Sequence, residues 1–181
     1  GLASNNYLLD SVLTVASQIG YWGHWPSVGK RLQINLLTGL ALPATVKSLG
    51  RLPGFAMGGV PLPAEIALEW ARWCQHQQYF VDEKGAALTT YFERFSGPAR
   101  FYAIADDHFY APASAVKALS RRFVAADGEV VWRHPSHWGA REMGHFGYFR
   151  RNAPTAAWDE IGDWLIRSTL NQHTLSQRWA A

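Results

Sequence analysis

Residues 100–112 read RFYAIADDHFYAP. Arg100 to Ala105 is a short, nearly continuous apolar run, which is how a parallel strand reads when both of its faces are covered. The run ends on Asp106, Asp107 and His108, and a helix is expected to follow, because Val116, Leu119 and Phe123 recur at the i, i+3, i+7 spacing of a face packed on one side. Beyond that helix, Glu129 to Arg133 (EVVWR) reads as a second strand, and strand, helix, strand in this order makes a right-handed crossover unit. A loop follows, and then Thr155 offers an N-cap behind Pro154, with Asp159 and Glu160 in the favourable first turn. Trp158, Ile161 and Leu165 are the expected buried face of this last helix. Upstream, Ser11 to Ser17 (SVLTVAS) is another β-branched apolar run with the character of a strand buried on both faces. The expected fold class is therefore α/β, with a mainly parallel sheet of which residues 99–170 form the closing part.

The stretch from Tyr21 to Gly97 differs in character. Two helical segments are expected, Lys30 to Leu49 and Pro63 to Tyr79, the second with Ile66, Trp70, Trp73 and Gln77 on one face. Proline and glycine punctuate it at Pro26, Pro43, Pro53-Gly54, Gly58-Gly59, Pro61 and Pro63. A mostly helical, aromatic-rich insertion between two parallel strands resembles a lid over the strands' carboxyl ends. The expected organisation is a core of residues 1–21 and 97–181 with a helical cap of residues 22–96.

Composition narrows the function classes. Nine Trp within 14% aromatic content exceed the ordinary needs of a core, so part of that aromatic surface is expected to line a pocket for an apolar or amphipathic ligand. A formal charge of +3, with basic residues scattered rather than striped, argues against nucleic acid. Cys74 is the single cysteine, which excludes an intramolecular disulfide and a thiolate zinc site and fits a reducing, cytoplasmic setting. No apolar run approaches the ~20 residues of a membrane helix, and no secretory leader is visible. Gly1 to Asn6 reads as the end of a helix entering a loop, so further sequence is expected upstream.

Two places can carry chemistry. In an open parallel sheet, catalytic groups collect where strands end, so a carboxylate at Asp106 or Asp107 is well placed to orient a histidine; a helix cap or turn is the competing role. The second place is Gly144-His145-Phe146-Gly147, where flanking glycines permit sharp backbone turns and aromatics wall the ring from water. A structural imidazole satisfied by a backbone carbonyl is the competing role there. Cys74 sits mid-helix and reads as a buried structural thiol, and His108, His134 and His137 lack the clustered carboxylates or cysteines of a metal site. Tyr21, Trp22 and Trp25 follow the first strand and suit a pocket wall or core packing equally.

Four stretches carry a resemblance: VASQIGYWGHWP (15–26), LPAEIALEWARWC (62–74), ADDHFYAP (105–112) and GHFGYFR (144–150). In order and spacing they resemble the C-terminal half of a bacterial group of α/β-hydrolase-fold proteins, from about residue 1 to 167. The resemblance implies Asp107 as the triad acid, with Asp106 as the alternative, and His145 as general base toward a serine. It implies an ester-like substrate in a pocket that includes Tyr21, Trp22, Trp25 and Phe146, and neither a metal nor an organic cofactor. In that fold the chain order is nucleophile, acid, base, yet none of Ser4, Ser11, Ser17, Ser27, Ser48 or Ser96 stands in a G-x-S-x-G elbow. The elbow and the oxyanion hole are thus expected upstream of Gly1, and the isolated chain is expected to be inactive. Its expected partner is the missing N-terminal half or a second copy across an exposed strand edge. Two alternatives remain beside this one: a non-catalytic scaffold of the same half-fold, and a hydrolase of the epoxide or haloalkane type with an upstream Asp nucleophile.

Overall fold

The structure, a computed structural model, describes residues 6–56, 59–88 and 90–179. In chain order its elements are β1 (Val12–Val15), α1 (Val28–Leu36), α2 (Leu42–Leu49), β2 (Arg51–Leu52), β3 (Leu62–Pro63), α3 (Ala64–Gln75), α4 (Thr90–Arg94), β4 (Pro98–Ile104), α5 (Ala113–Ser120), β5 (Asp127–Arg133) and α6 (Thr155–Trp179). They fall into two compact units, Gly1–Gln18 with Thr89–Ala181, and Ile19–Leu88.

The first unit is an α/β domain built on a parallel sheet of order β1-β4-β5. Its centre is β4, the apolar run of residues 100–105, where Phe101, Tyr102, Ala103 and Ile104 are all buried. Consecutive side chains of a strand point to opposite faces, so Phe101 and Tyr102 build different layers. On the Phe101 side, the ring of Phe123 packs 5.1 Å from Phe101 and 5.4 Å from Phe92, edge to face, and α5 buries Ala115, Val116 and Leu119. On the Tyr102 side, α6 supplies Glu160, whose carboxylate accepts from Tyr102 Oη at 3.0 Å, Arg133 Nε at 2.9 Å and Trp138 Nε1 at 2.8 Å. Burial pushes the Glu160 carboxyl up, but the hydrogen bonds from Arg133, Trp138 and Tyr102 outweigh it and hold it below the usual carboxylate range. One acidic side chain thereby ties β4, β5, the turn Pro135–Trp138 and α6 together.

Three expectations about faces are corrected. The β1 strand is half-buried along its length rather than covered on both sides, because only β4 pairs with it among the described residues. The buried stripe of α6 is Ala157, Ile161, Trp164 and Ser168, with Trp158 44% and Leu165 38% exposed, so the helix is turned about one residue from the expected face. In α3 the buried stripe is Ala67, Ala71 and Cys74, and Ile66 is 54% exposed. Two alanines one turn apart leave a shallow groove that lets another helix approach closely, which a count of large apolar residues does not register.

The second unit is mostly helical. Ser27 Oγ accepts the Lys30 N–H at 3.2 Å and opens a helical run from Val28 to Leu49, which Gly50 closes in the left-handed region at φ +67°. Pro43 cannot donate to the ladder, and the run widens into a π-turn over Leu37–Ala41 just ahead of it. Leu42, Val46, Leu52, Ala67 and Ala71 form one buried apolar cluster of this unit, with α2 packed on α3 and the short antiparallel pair β2 and β3. The Thr38 hydroxyl donates to Ile34 O and accepts from Gln75 Nε2 at 2.9 Å, a polar tie between the π-turn and α3. No helix among the described residues is long and apolar enough to cross a membrane.

Candidate functional site

Parallel pairing places the carboxyl ends of β1, β4 and β5 at one rim of the sheet. The backbone of β4 continues one residue past its last strand position, with Ala105 N–H donating to Arg133 O at 2.8 Å, and then turns so that Asp107 N–H meets Ile104 O at 3.1 Å. The turn leaves two successive carboxylates at the rim with different partners. Asp107 is buried, its side chain 1% exposed. Its Oδ1 accepts the N–H groups of Tyr110 at 3.1 Å and Ala111 at 3.0 Å, while Oδ2 lies 2.6 Å from His145 Nδ1. An acceptor so placed calls for a proton on Nδ1, which leaves Nε2 as the ring's basic nitrogen.

Asp106 faces the same loop but not the ring. Its carboxylate accepts the N–H of Met143 at 2.8 Å and that of Gly144 at 3.0 Å to each oxygen. Gly144 sits at φ +57°, a left-handed turn that glycine adopts without penalty, and it hands the chain directly to His145. The imidazole is partly open, its side chain 23% exposed. Tyr110 stacks on it with centroids 4.9 Å apart at 28°, and Phe146 meets it edge to face at 4.7 Å and 89°. An open depression of about 630 Å³ adjoins the ring, with Asp106, Tyr110, Arg141, Arg150 and Phe146 among its walls.

Of the four side chains expected to line a pocket, Phe146 lies here. Tyr21, Trp22 and Trp25 belong to the second unit, where the Tyr21 and Trp22 rings sit 5.1 Å apart and Trp25 is buried. Cys74 is buried in α3, and burial pushes its thiol up to about 12, so it offers no thiolate near neutral pH. His134 and His137 cap a turn: His134 Nδ1 accepts the Ser136 N–H at 3.3 Å, and His137 Nδ1 accepts the His134 N–H at 3.2 Å. The stack of Tyr110 on His145 escaped the sequence reading, since nothing local marks a tyrosine three residues past an aspartate as the partner of a ring in a distant loop.

No protein-family model, curated protein or solved structure matches the chain.

What the arrangement can do follows from the atoms. A buried carboxylate held by two backbone donors keeps its position while it binds Nδ1, and a ring so held presents Nε2 as a general base of fixed orientation.

Proposed function

We propose that the chain is the acid-and-histidine half of an α/β-hydrolase-fold enzyme that cleaves ester-like carbonyl bonds by a Ser-His-Asp mechanism, with the serine in an elbow upstream of Gly1. The observation that carries this reading is the 2.6 Å contact between Asp107 Oδ2 and His145 Nδ1 at the carboxyl end of the central strand. In the proposed reaction, His145 Nε2 takes the proton of the serine hydroxyl as it attacks the carbonyl, and returns it to the leaving alcohol. Asp107 keeps the tautomer and offsets the charge on the ring. Tyr110 and Phe146 pack against the imidazole and hold its orientation, leaving one part of the ring open to the depression. Within this reading the mostly helical, aromatic-rich Ile19–Leu88 unit, which the chain inserts between β1 and β4, is assigned the choice of an apolar or aromatic substrate. The reading assigns no cofactor.

The residues encoded before Gly1 separate this proposal from its competitors. G-x-S-x-G supports the serine mechanism, an Asp in the elbow supports an epoxide or haloalkane type hydrolase, and no elbow supports a non-catalytic scaffold. The decisive assay is hydrolysis of an ester chain-length series by the upstream-extended protein, with and without His145→Ala. The expected result is a loss of kcat by about 10³-fold or more with folding retained; undiminished turnover by the variant would return His145 to a packing role.

A further inference from the structure

We infer that Asp106 is a positioning residue for His145, acting through the backbone of Met143 and Gly144 rather than through the ring. The inference rests on the proposed Asp107–His145 pair and adds a second task for the carboxylate beside it.

The two aspartates are neighbours in the chain, and a strand-end turn sends them to different addresses on one loop. Asp107 holds the imidazole, and Asp106 holds the peptide units that lead into it, accepting from Met143 N–H at 2.8 Å and Gly144 N–H at 3.0 Å. Gly144 is the residue before His145, so its amide plane and its φ of +57° set where the His145 Cα starts. A general base must stand within about 0.5 Å of its productive place, and a histidine on an irregular loop reaches that tolerance only when its backbone is fixed as well as its ring. Both anchors originate from one turn at the end of β4, whose register against β5 is set over seven residue pairs from Pro98↔Asp127 to Ile104↔Arg133. Sheet and histidine loop are therefore joined by two carboxylates with one origin.

Asparagine at 106 cannot reproduce the clamp. Whichever way its amide turns, an NH₂ replaces one carboxylate oxygen and meets a backbone N–H, donor against donor. With the carbonyl in the Oδ2 place both amides keep an acceptor but the NH₂ faces the Gly144 N–H, and with it in the Oδ1 place the Met143 N–H loses its acceptor as well, while Asp107 and the ring stay chemically intact.

The test is NMR on the whole chain, reading amide hydrogen exchange at Met143 and Gly144 together with the His145 Nδ1–H proton signal. In the unaltered protein both amides are expected to exchange more slowly than in a free peptide by about tenfold or more. Asp106→Asn is expected to reduce that protection, at Gly144 above all, and to broaden or shift the His145 ring signal, and Glu129→Gln, a carboxylate on β5 away from the loop, is expected to leave both readings unchanged. A folded Asp106→Asn protein with an unaltered His145 signal would overturn the positioning role, because a purely structural anchor would not move the ring. Unprotected Met143 and Gly144 amides in the unaltered protein would overturn it too, even if the variant failed to fold. Asp107→Asn serves as the separate check: it should erase the Nδ1–H signal, and persistence of that signal would sink the Asp107–His145 pair itself.

Discussion

Gly144 at φ +57° stands one residue before His145, with no neighbouring atom within 4 Å of where a Cβ would be. Gly144→Ala therefore isolates conformational strain from crowding. The left-handed region costs an L-residue about 1–2 kcal/mol, so the variant should lose about 1 kcal/mol in urea unfolding; an unchanged midpoint would mean that the loop relaxes freely. Asp107→Asn acts differently. It keeps the shape but turns an acceptor toward donor chemistry, so the proposed enzyme should lose about 10⁴-fold in kcat, while a milder loss than that of Asp106→Asn would exchange the roles of the two carboxylates. Much at this scale was not legible in the chain. Two adjacent aspartates at a strand end look alike, and only the turn at Ile104 to Asp107 decides which one faces the ring. The glycines around His145 were legible as a turn, but the Tyr110 stack depends on where the loop returns in space.

At the scale of elements, α6 is fastened to the sheet by Glu160. Its folded-state pKa is depressed, so the stability it contributes is present above the unfolded carboxyl value, about 4.3, and is lost as pH falls through the folded value. Glu160→Gln should cost about 2 kcal/mol near neutral pH, where three donors lose a charged acceptor that is half-buried. The gap between variant and unaltered protein should narrow on acidification to about pH 3; equal gaps at both pH values, measured by urea titration, would show that the carboxylate's charge is not what holds α6. The three strands of the parallel sheet and the longer helices were legible because their apolar runs differ in period, but the short β2, β3 and α4 were not expected, the helix expected to reach Tyr79 ends at Gln75, and two helix faces were misread. In α3 the contact is made by Ala67 and Ala71, small residues whose burial depends on a neighbouring helix. In α6 Trp158 and Leu165 lost to Ala157 and Trp164, and Trp164 also lies 5.1 Å beneath the Arg100 guanidinium.

At the scale of the whole molecule, the α/β class was legible from three apolar runs and the helix between two of them, while the environment of β1 was not. A covered strand and a half-covered one share the same β-branched composition, and only pairing distinguishes them. Val12–Val15 pairs with β4 on one side, and no other strand joins it among the described residues. An edge of this kind is a template for another chain. The chain by itself should therefore self-associate or dimerise through β1 in size-exclusion chromatography with light scattering; a monodisperse monomer that unfolds in one cooperative step would count against this.

The central claim is that a buried carboxylate at the end of the middle strand keeps one particular nitrogen of His145 basic. Long-range proton–nitrogen NMR of the His145 ring, recorded where the ring is neutral, tests it most directly. The expected spectrum has the proton on Nδ1 and a bare Nε2; a proton on Nε2 with Nδ1 bare would contradict the claim.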